Sequence, residues 1–403
     1  MDVTLLCDVV DNYGDIGVVY RLSRALTALS KELKLTLVVS NLASFAQMAP
    51  EINPTISLQE YNGWTVIDWN NAKVCTDFFT AHHPRIILQC FQCIRPEWLE
   101  NILFAPERNN TKEIIHIINV EYLTAEEWAD GFHLLKSATR SMFVKKMNFM
   151  PGFTSKTGGL ILDPPFMESR NNRKLALQKV APFLTEQDFS KLCNENLLKF
   201  VIFTYEQDFA PIVKALAQAQ AECKKDVCVF AAPGLSQKPF MTAVEKAGFH
   251  LQTVSLPYLP QTAWDALLCC ADFAIIRGED SFARACLCGV PFLWHAYKQD
   301  EEFQLVKVDA LLKRMKPFFS EQEFKLIQTC MINFNRRPEQ TVGKEAQEVL
   351  DALDQQTQKE IPYTEYFCKS NVLKKGFTAF SEMLLKNGNL AENLLDYMKQ
   401  LQF

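Results

Sequence analysis

The chain has no apolar run that approaches the ~18 residues needed by a membrane-crossing helix. Its opening residues, Met1-Asp2-Val3, carry no basic stretch of the kind that begins a secretory leader. A cytoplasmic protein with no membrane partner is expected. Excess positive charge is missing too. Lys and Arg number 42 against 47 Asp and Glu, a formal net charge of -5. The global field therefore does not favour nucleic acid or another strongly negative polyphosphate. The six histidines form no H-E-x-x-H or comparable metal pair, and there is no P-loop and no G-x-S-x-G elbow. No catalytic metal is expected. The 13 cysteines show neither a disulfide framework nor zinc-ligand spacing, since Cys90 and Cys93 form a lone C-x-x-C. Cys269, Cys270, Cys286 and Cys288 lie in apolar segments and are expected as buried, reduced thiols.

What is present is ordinary globular composition, 48% apolar and 22% charged, on a chain of 403 residues, which is long enough for two domains. Val3 to Val10 reads as a buried strand, Val18 to Leu33 as an amphipathic helix and Leu35 to Ser40 as a second strand. This β-α-β unit implies a parallel sheet covered by helices. Arg85 to Gln89 and Ile114 to Val120 continue the sheet, and Met142 to Pro165 reads as a long functional loop. Asn171 to Asn196 reads as polar and helical. A second alternation begins at Leu197. Strands are expected at Leu198 to Thr204, Val227 to Ala231, Phe273 to Ile276 and Val290 to Trp294. Helices are expected at Lys214 to Lys224, Met241 to Lys246, Thr262 to Cys270 and Ser281 to Cys288, with a last helical stretch broken near Asn387-Gly388-Asn389. The simplest architecture is two α/β domains facing across a cleft, with ligands at the carboxyl ends of the strands.

Three stretches carry chemistry. Asp11-Asn12-Tyr13-Gly14-Asp15-Ile16-Gly17 follows the first strand and reads as a turn. Gly14 and Gly17 permit close approach of a ligand, but the G-x-G-x-x-G fingerprint is incomplete, which weighs against a dinucleotide dehydrogenase. Asp11 and Asp15 fit a turn and helix cap about as well as they fit catalysis, with Asp15 the candidate base. The second stretch is Arg277-Gly278-Glu279-Asp280-Ser281-Phe282, where a strand runs into a short helix. Free backbone N–H groups and the Arg277 fork suit a pyrophosphate, and the alternative is a plain cap by Asp280 or Ser281. Glu279 and Asp280 suit sugar hydroxyls, or orient Arg277. The third is a set of rings and amides at Phe203-Thr204-Tyr205, Tyr258-Leu259-Pro260-Gln261 and Trp294 to Gln299, which could stack on a base but equally fit a core.

Together these residues resemble one family, the elongation-factor-P arginine rhamnosyltransferases (EarP). The resemblance rests on Cys7 to Gly17, Asn119-Val120-Glu121-Tyr122-Leu123, Pro151-Gly152-Phe153-Thr154, Thr157-Gly158-Gly159-Leu160 and Arg277 to Phe282. It implies a GT-B architecture and an inverting transfer of L-rhamnose from dTDP-β-L-rhamnose to an arginine of elongation factor P, which is thereby activated to rescue ribosomes stalled at polyproline. No cofactor is implied besides this donor. The expected boundaries are 1–190 with 375–403 for an acceptor-binding domain, and 191–374 for a nucleotide-sugar domain. The family's essential acidic residues fall on Asp11, Asp15 and Glu279. Its nucleotide-binding positions fall on Phe203, Tyr205, Tyr258, Gln261, Arg277, Asp280, Ser281 and Tyr297, while Asn12, Tyr13, Gly14 and Gly17 lie on the acceptor side. Tyr13 and Tyr258 stand where phenylalanine is expected, which keeps the rings. Two other readings remain, a GT-B enzyme with a carbohydrate acceptor and a non-catalytic protein that binds the nucleotide sugar or the elongation factor.

Overall fold

The computed structural model describes residues 1–10, 13–106, 113–353 and 361–401. Its contacts group Met1–Asp163 with Leu385–Phe403 as one unit and Pro164–Leu384 as a second.

In the first unit, described strands β1 (Asp2–Cys7), β2 (Lys34–Val39), β3 (Leu58–Tyr61), β4 (Trp64–Asp68), β5 (Ile86–Cys90), β6 (Ile115–Val120), β7 (Lys136–Ser137) and β8 (Val144–Phe149) form one sheet. Its order is β3-β4-β2-β1-β5-β6-β8-β7. The pairs are parallel except at the two edges, β3–β4 and β7–β8. The inner strands are continuously apolar because both faces are covered. Leu5, Leu37 and Leu88 pack into the core shared with the helices Tyr13–Leu29 and Leu390–Gln400. Their neighbours Leu6, Val38 and Ile87 point the other way, onto Phe79 and Trp98 of the helices Ala72–Ala81 and Glu97–Leu103. Each fully buried side chain of this size contributes roughly 1.5–3 kcal/mol. That burial explains why the first helix begins at Tyr13 and runs through Gly14 and Gly17, where a turn was expected. Each helical glycine costs about 1 kcal/mol, less than the packing of the stripe that follows it.

The second unit carries β9 (Leu197–Phe203), β10 (Asp226–Ala231), β11 (Gln252–Ser255), β12 (Phe273–Arg277) and β13 (Phe292–His295). The order is β11-β10-β9-β12-β13, parallel throughout. Both sheets are thus wound outward in two directions from their first strand, the Rossmann-like pattern.

Several expectations change. Residues 142–165 are not one loop, because β8 lies inside them as the sheet's penultimate strand. The unit boundaries fall at 163/164 and 384/385, where 190/191 and 374/375 were expected. The helices Pro164–Asn171 and Arg173–Val180 belong to the second unit because Arg170 donates to the Leu287 carbonyl at 2.8 Å and Arg173 to the Cys270 carbonyl at 3.4 Å. The helix Ser370–Lys386 belongs there because Ser381 donates to the same Leu287 carbonyl at 2.6 Å. All 13 cysteines are free, but Cys269 and Cys288 are half-buried rather than buried. Both sit in the last turns of their helices, where the packed face gives way to solvent.

The chain re-enters the first unit along a tight seam. Leu160 bridges to Asn389, and Leu390 N–H donates to the Leu160 carbonyl at 2.8 Å. Gly159 makes this possible. Its φ is +80°, and a Cβ there would stand 2.3 Å from the Gly388 carbonyl oxygen, which is backbone and cannot swing away. Gly159→Ala is therefore expected to destabilise the first unit by roughly 2–4 kcal/mol. A urea midpoint unchanged from wild type would show that the seam has slack.

Candidate active site

Each sheet has one point where the chain changes direction of winding, between β1 and β5 in the first unit and between β9 and β12 in the second. Loops leaving two such neighbouring strands diverge and open a crevice at their carboxyl ends. The sequence places its chemistry at both.

In the first unit, Asp15 lies in the first turn of the helix after β1, where the helix dipole favours a negative charge. It is 2% exposed. Its Oδ2 accepts the Val10 backbone N–H at 2.8 Å, and its Oδ1 accepts the Tyr122 hydroxyl at 3.1 Å. These two donors fix the plane of the carboxylate. Tyr122 follows β6, is 44% exposed, and stacks on Phe91 just past β5, with ring centres 4.4 Å apart and planes inclined by 16°. Phe91 and Gln92 both have positive φ, 59° and 50°. Two successive non-glycine residues in that region cost on the order of 1–2 kcal/mol each. Gln92 Nε2 donates to Glu121 Oε1 at 2.5 Å, and Asn119 Nδ2 donates to the same oxygen. Burial raises the Glu121 carboxyl above the usual carboxylate range, and the hydrogen bonds from Gln92 and Asn119 pull against it. Gly14 is half-buried and Gly17 buried within the helix that Tyr13 opens, while Asp11 and Asn12 lie outside the described residues.

In the second unit, β9 ends at Phe203 and β12 ends beside it at Arg277. The Arg277 guanidinium lies 4.8 Å from the centre of the Phe203 ring and 4.5 Å from that of Tyr205. Gly278, at φ +74°, turns the chain into the helix Glu279–Cys288. Gly278 is the cap, so neither Asp280 nor Ser281 caps this helix. Glu279 and Asp280 occupy its first turn, since the left-handed turn needs glycine one step earlier than a side-chain cap would stand. Ser281 Oγ accepts the Trp264 indole N–H at 3.1 Å, and the Gln261 amide lies 3.5 Å from Asp280 Oδ2. Tyr205 meets the Tyr297 ring edge-on at 5.7 Å and His295 at 5.2 Å. Tyr258 and Tyr297 are 59% and 63% exposed, as open ligand-facing rings are and core rings are not.

The structure thus gathers Phe203, Tyr205, Arg277 and Tyr297 at one switch point, with the head of the following helix. It places Asp15 at the other. Sequence reasoning assigned no role to Phe91, Gln92, Glu121 and Tyr122, although Glu121 and Tyr122 stood in a quoted motif. It also passed over His295, which is 1% exposed. Arg337 donates to His295 Nε2. Burial, then the charges of Arg337 and Arg277, hold its pKa down to about 3, so it is neutral beside the Arg277 fork. Among the described residues no group of three or more His, Cys, Asp or Glu could hold a metal ion. No described helix is long and apolar enough to cross a membrane. Chemically, one switch point offers a cation, flat rings and the N-terminus of a helix, which suit a nucleoside diphosphate. The other offers an oriented carboxylate, which suits a cationic or proton-donating acceptor.

Comparison with known proteins gives these sites a context. Protein-arginine rhamnosyltransferases of Shewanella oneidensis and Pseudomonas putida are each 32% identical to this chain, over 325 and 315 residues. These matches cover 77% and 76% of this chain and 79% and 80% of the relatives. Among solved structures, an EarP for arginine glycosylation of translation elongation factor EF-P matches with a TM-score of 0.52 at 19% identity, covering 99% of both chains. The glycosyltransferase VinC, solved with dTDP, matches with a TM-score of 0.53 at 10% identity, also over 99% of both. At those identities the two structures speak for the fold, which is the GT-B glycosyltransferase fold of two Rossmann-like units. A family model matches residues 3–399, and the chain belongs to that family, EarP, the elongation-factor P (EF-P) rhamnosyltransferases.

Proposed function

We propose that this protein transfers L-rhamnose from dTDP-β-L-rhamnose to an arginine side-chain nitrogen of elongation factor P, with inversion at the sugar carbon. The first unit takes the protein acceptor and the second takes the donor. The modified factor then rescues ribosomes stalled at polyproline, and the reaction runs in the cytoplasm. The observation that carries this reading is the Asp15 carboxylate, buried and held by two donors at the first unit's switch point. Relatives that are protein-arginine rhamnosyltransferases support it.

A guanidinium is a poor nucleophile, because its lone pairs are delocalised and its pKa exceeds ~12. A carboxylate is too weak to deprotonate it outright. Asp15 therefore orients and polarises the guanidinium, and takes its proton late, as the new C–N bond forms. Asp11 assists in orienting the acceptor, beside Asn12, Tyr13, Gly14 and Gly17. The bond to the diphosphate breaks in the same displacement. Arg277 and the positive end of the helix Glu279–Cys288 take up the charge that develops on dTDP, so the step calls for no metal. Glu279 holds the sugar, Asp280 and Ser281 set the diphosphate and ribose, and Phe203, Tyr205, Tyr258, Gln261 and Tyr297 receive the base.

The test is to incubate the protein with dTDP-rhamnose and intact elongation factor P, then weigh and fragment the factor. One deoxyhexose on an arginine is the expected result. An unmodified factor, or rhamnose found on a carbohydrate instead, would overturn the reading.

A further inference from the structure

The strained turn after β5 has no role in the mechanism so far. A parallel strand can leave its sheet without two consecutive left-handed residues, and neither Phe91 nor Gln92 is glycine. Such conformations persist where the surrounding structure needs the side chains they place. Here each residue grips one member of a neighbouring pair. Phe91 stacks on Tyr122, and Gln92 donates to Glu121. Glu121 is buried and is gripped again by Asn119 at the end of β6. The backbone at 121–122 is therefore held from two sides, and what it presents is the Tyr122 hydroxyl at Asp15 Oδ1.

We propose that Tyr122 is the positioning residue for Asp15, and that the Phe91–Gln92 turn exists to hold Tyr122. This rests on the reading of Asp15 given above. The Val10 N–H restrains one carboxylate oxygen. The Tyr122 hydroxyl restrains the other. With both donors in place, the plane of the carboxylate is set before the acceptor arrives, as a planar guanidinium requires for two parallel hydrogen bonds. When Asp15 accepts the acceptor's proton, Tyr122 remains hydrogen-bonded to it, and no bond to Tyr122 forms or breaks.

Tyr122→Phe removes the hydroxyl and keeps the ring on Phe91. It is expected to lower kcat by about 10- to 100-fold, the worth of one hydrogen bond to a charged group. The KM for the nucleotide sugar and the affinity for dTDP should stay as in wild type. A tyrosine that served only to pack on Phe91 would leave kcat at the wild-type value in Tyr122→Phe, because the ring stays in place. Phe91→Leu, which removes the stacked ring, should act in the same direction, and Phe91→Trp should restore the rate. Asp15→Asn run alongside separates the two layers. If it is inactive while Tyr122→Phe keeps wild-type kcat, the positioning role is overturned and the Asp15 reading stands. If Asp15→Asn is itself active, the underlying reading has failed.

Discussion

Asp15→Asn should fold, bind dTDP as tightly as wild type, and lose nearly all rhamnosyl transfer. The local hydrogen bonds show why it can fold. Asp15 accepts the Val10 backbone N–H and the Tyr122 hydroxyl. The N–H of Val10 can only donate, so the asparagine carbonyl must face it. The Tyr122 hydroxyl can turn round and accept from the asparagine NH2. Both hydrogen bonds survive, while the charge and the proton acceptor are gone. General-base contributions are typically ~10²–10⁴-fold, and loss of the orienting ion pair adds to that. The proposed donor site lies in the other unit and should not respond. The competing view, that Asp15 serves only to fix the turn and the helix start, predicts survival of activity, because Asn replaces Asp well in such roles. Turnover and dTDP affinity, measured on one preparation, decide between them. Near-wild-type turnover would remove Asp15 from the mechanism.

The elements that positioned these groups were largely legible in the sequence, for one physical reason. Parallel strands buried on both faces leave uninterrupted apolar runs, as in β1, β9 and β12, and the turns that follow carry the polar residues of the site. Where burial is one-sided the signal failed. β8 carries Lys145 and Lys146 in its middle, which breaks the run, so a strand lay unread inside a supposed loop. The β3–β4 hairpin is another loss. Its Asn62-Gly63 turn, with φ of 51° and 75°, is the usual signature of a two-residue hairpin and was available to be read. The helix expected from Val18 begins at Tyr13, because the two glycines of its opening turns mark turns by composition and were overruled by packing.

The site divides in the same way. Residues near the end of a strand, such as Arg277, which closes β12, and Asp15, in the first turn of the helix after β1, could be found by position along the chain. Tyr122 meets Asp15 across 107 residues and Arg337 meets His295 across 42, and nothing local in the sequence pairs them. The strain at Phe91 and Gln92 was invisible for a further reason. Neither residue type suggests a left-handed backbone, so composition argues against the conformation that the fold imposes.

Arg277→Ala should weaken dTDP binding by about 10- to 150-fold, the range for a lost hydrogen bond to a charged group, and should lower transfer by at least as much. The guanidinium lies over the rings of Phe203 and Tyr205, 4.8 and 4.5 Å from their centres, and stands one residue before the turn into the helix Glu279–Cys288. Its fork is therefore oriented before the ligand arrives, and little entropy is lost in using it. Arg277→Lys keeps the charge but not the planar fork, so it should fall between wild type and Ala. Arg277 could instead matter only as a prop for Tyr205, the ring that would stack on the base. Thymidine, which has the base and sugar but no phosphate, separates these roles. If Arg277 holds the diphosphate, Arg277→Ala should bind thymidine as wild type does, while Tyr205→Ala should lose affinity for thymidine and dTDP alike. Calorimetry on the two variants with both ligands reads this directly. An Arg277→Ala protein with unchanged dTDP affinity, or one that loses thymidine and dTDP in equal measure, would take the diphosphate away from Arg277.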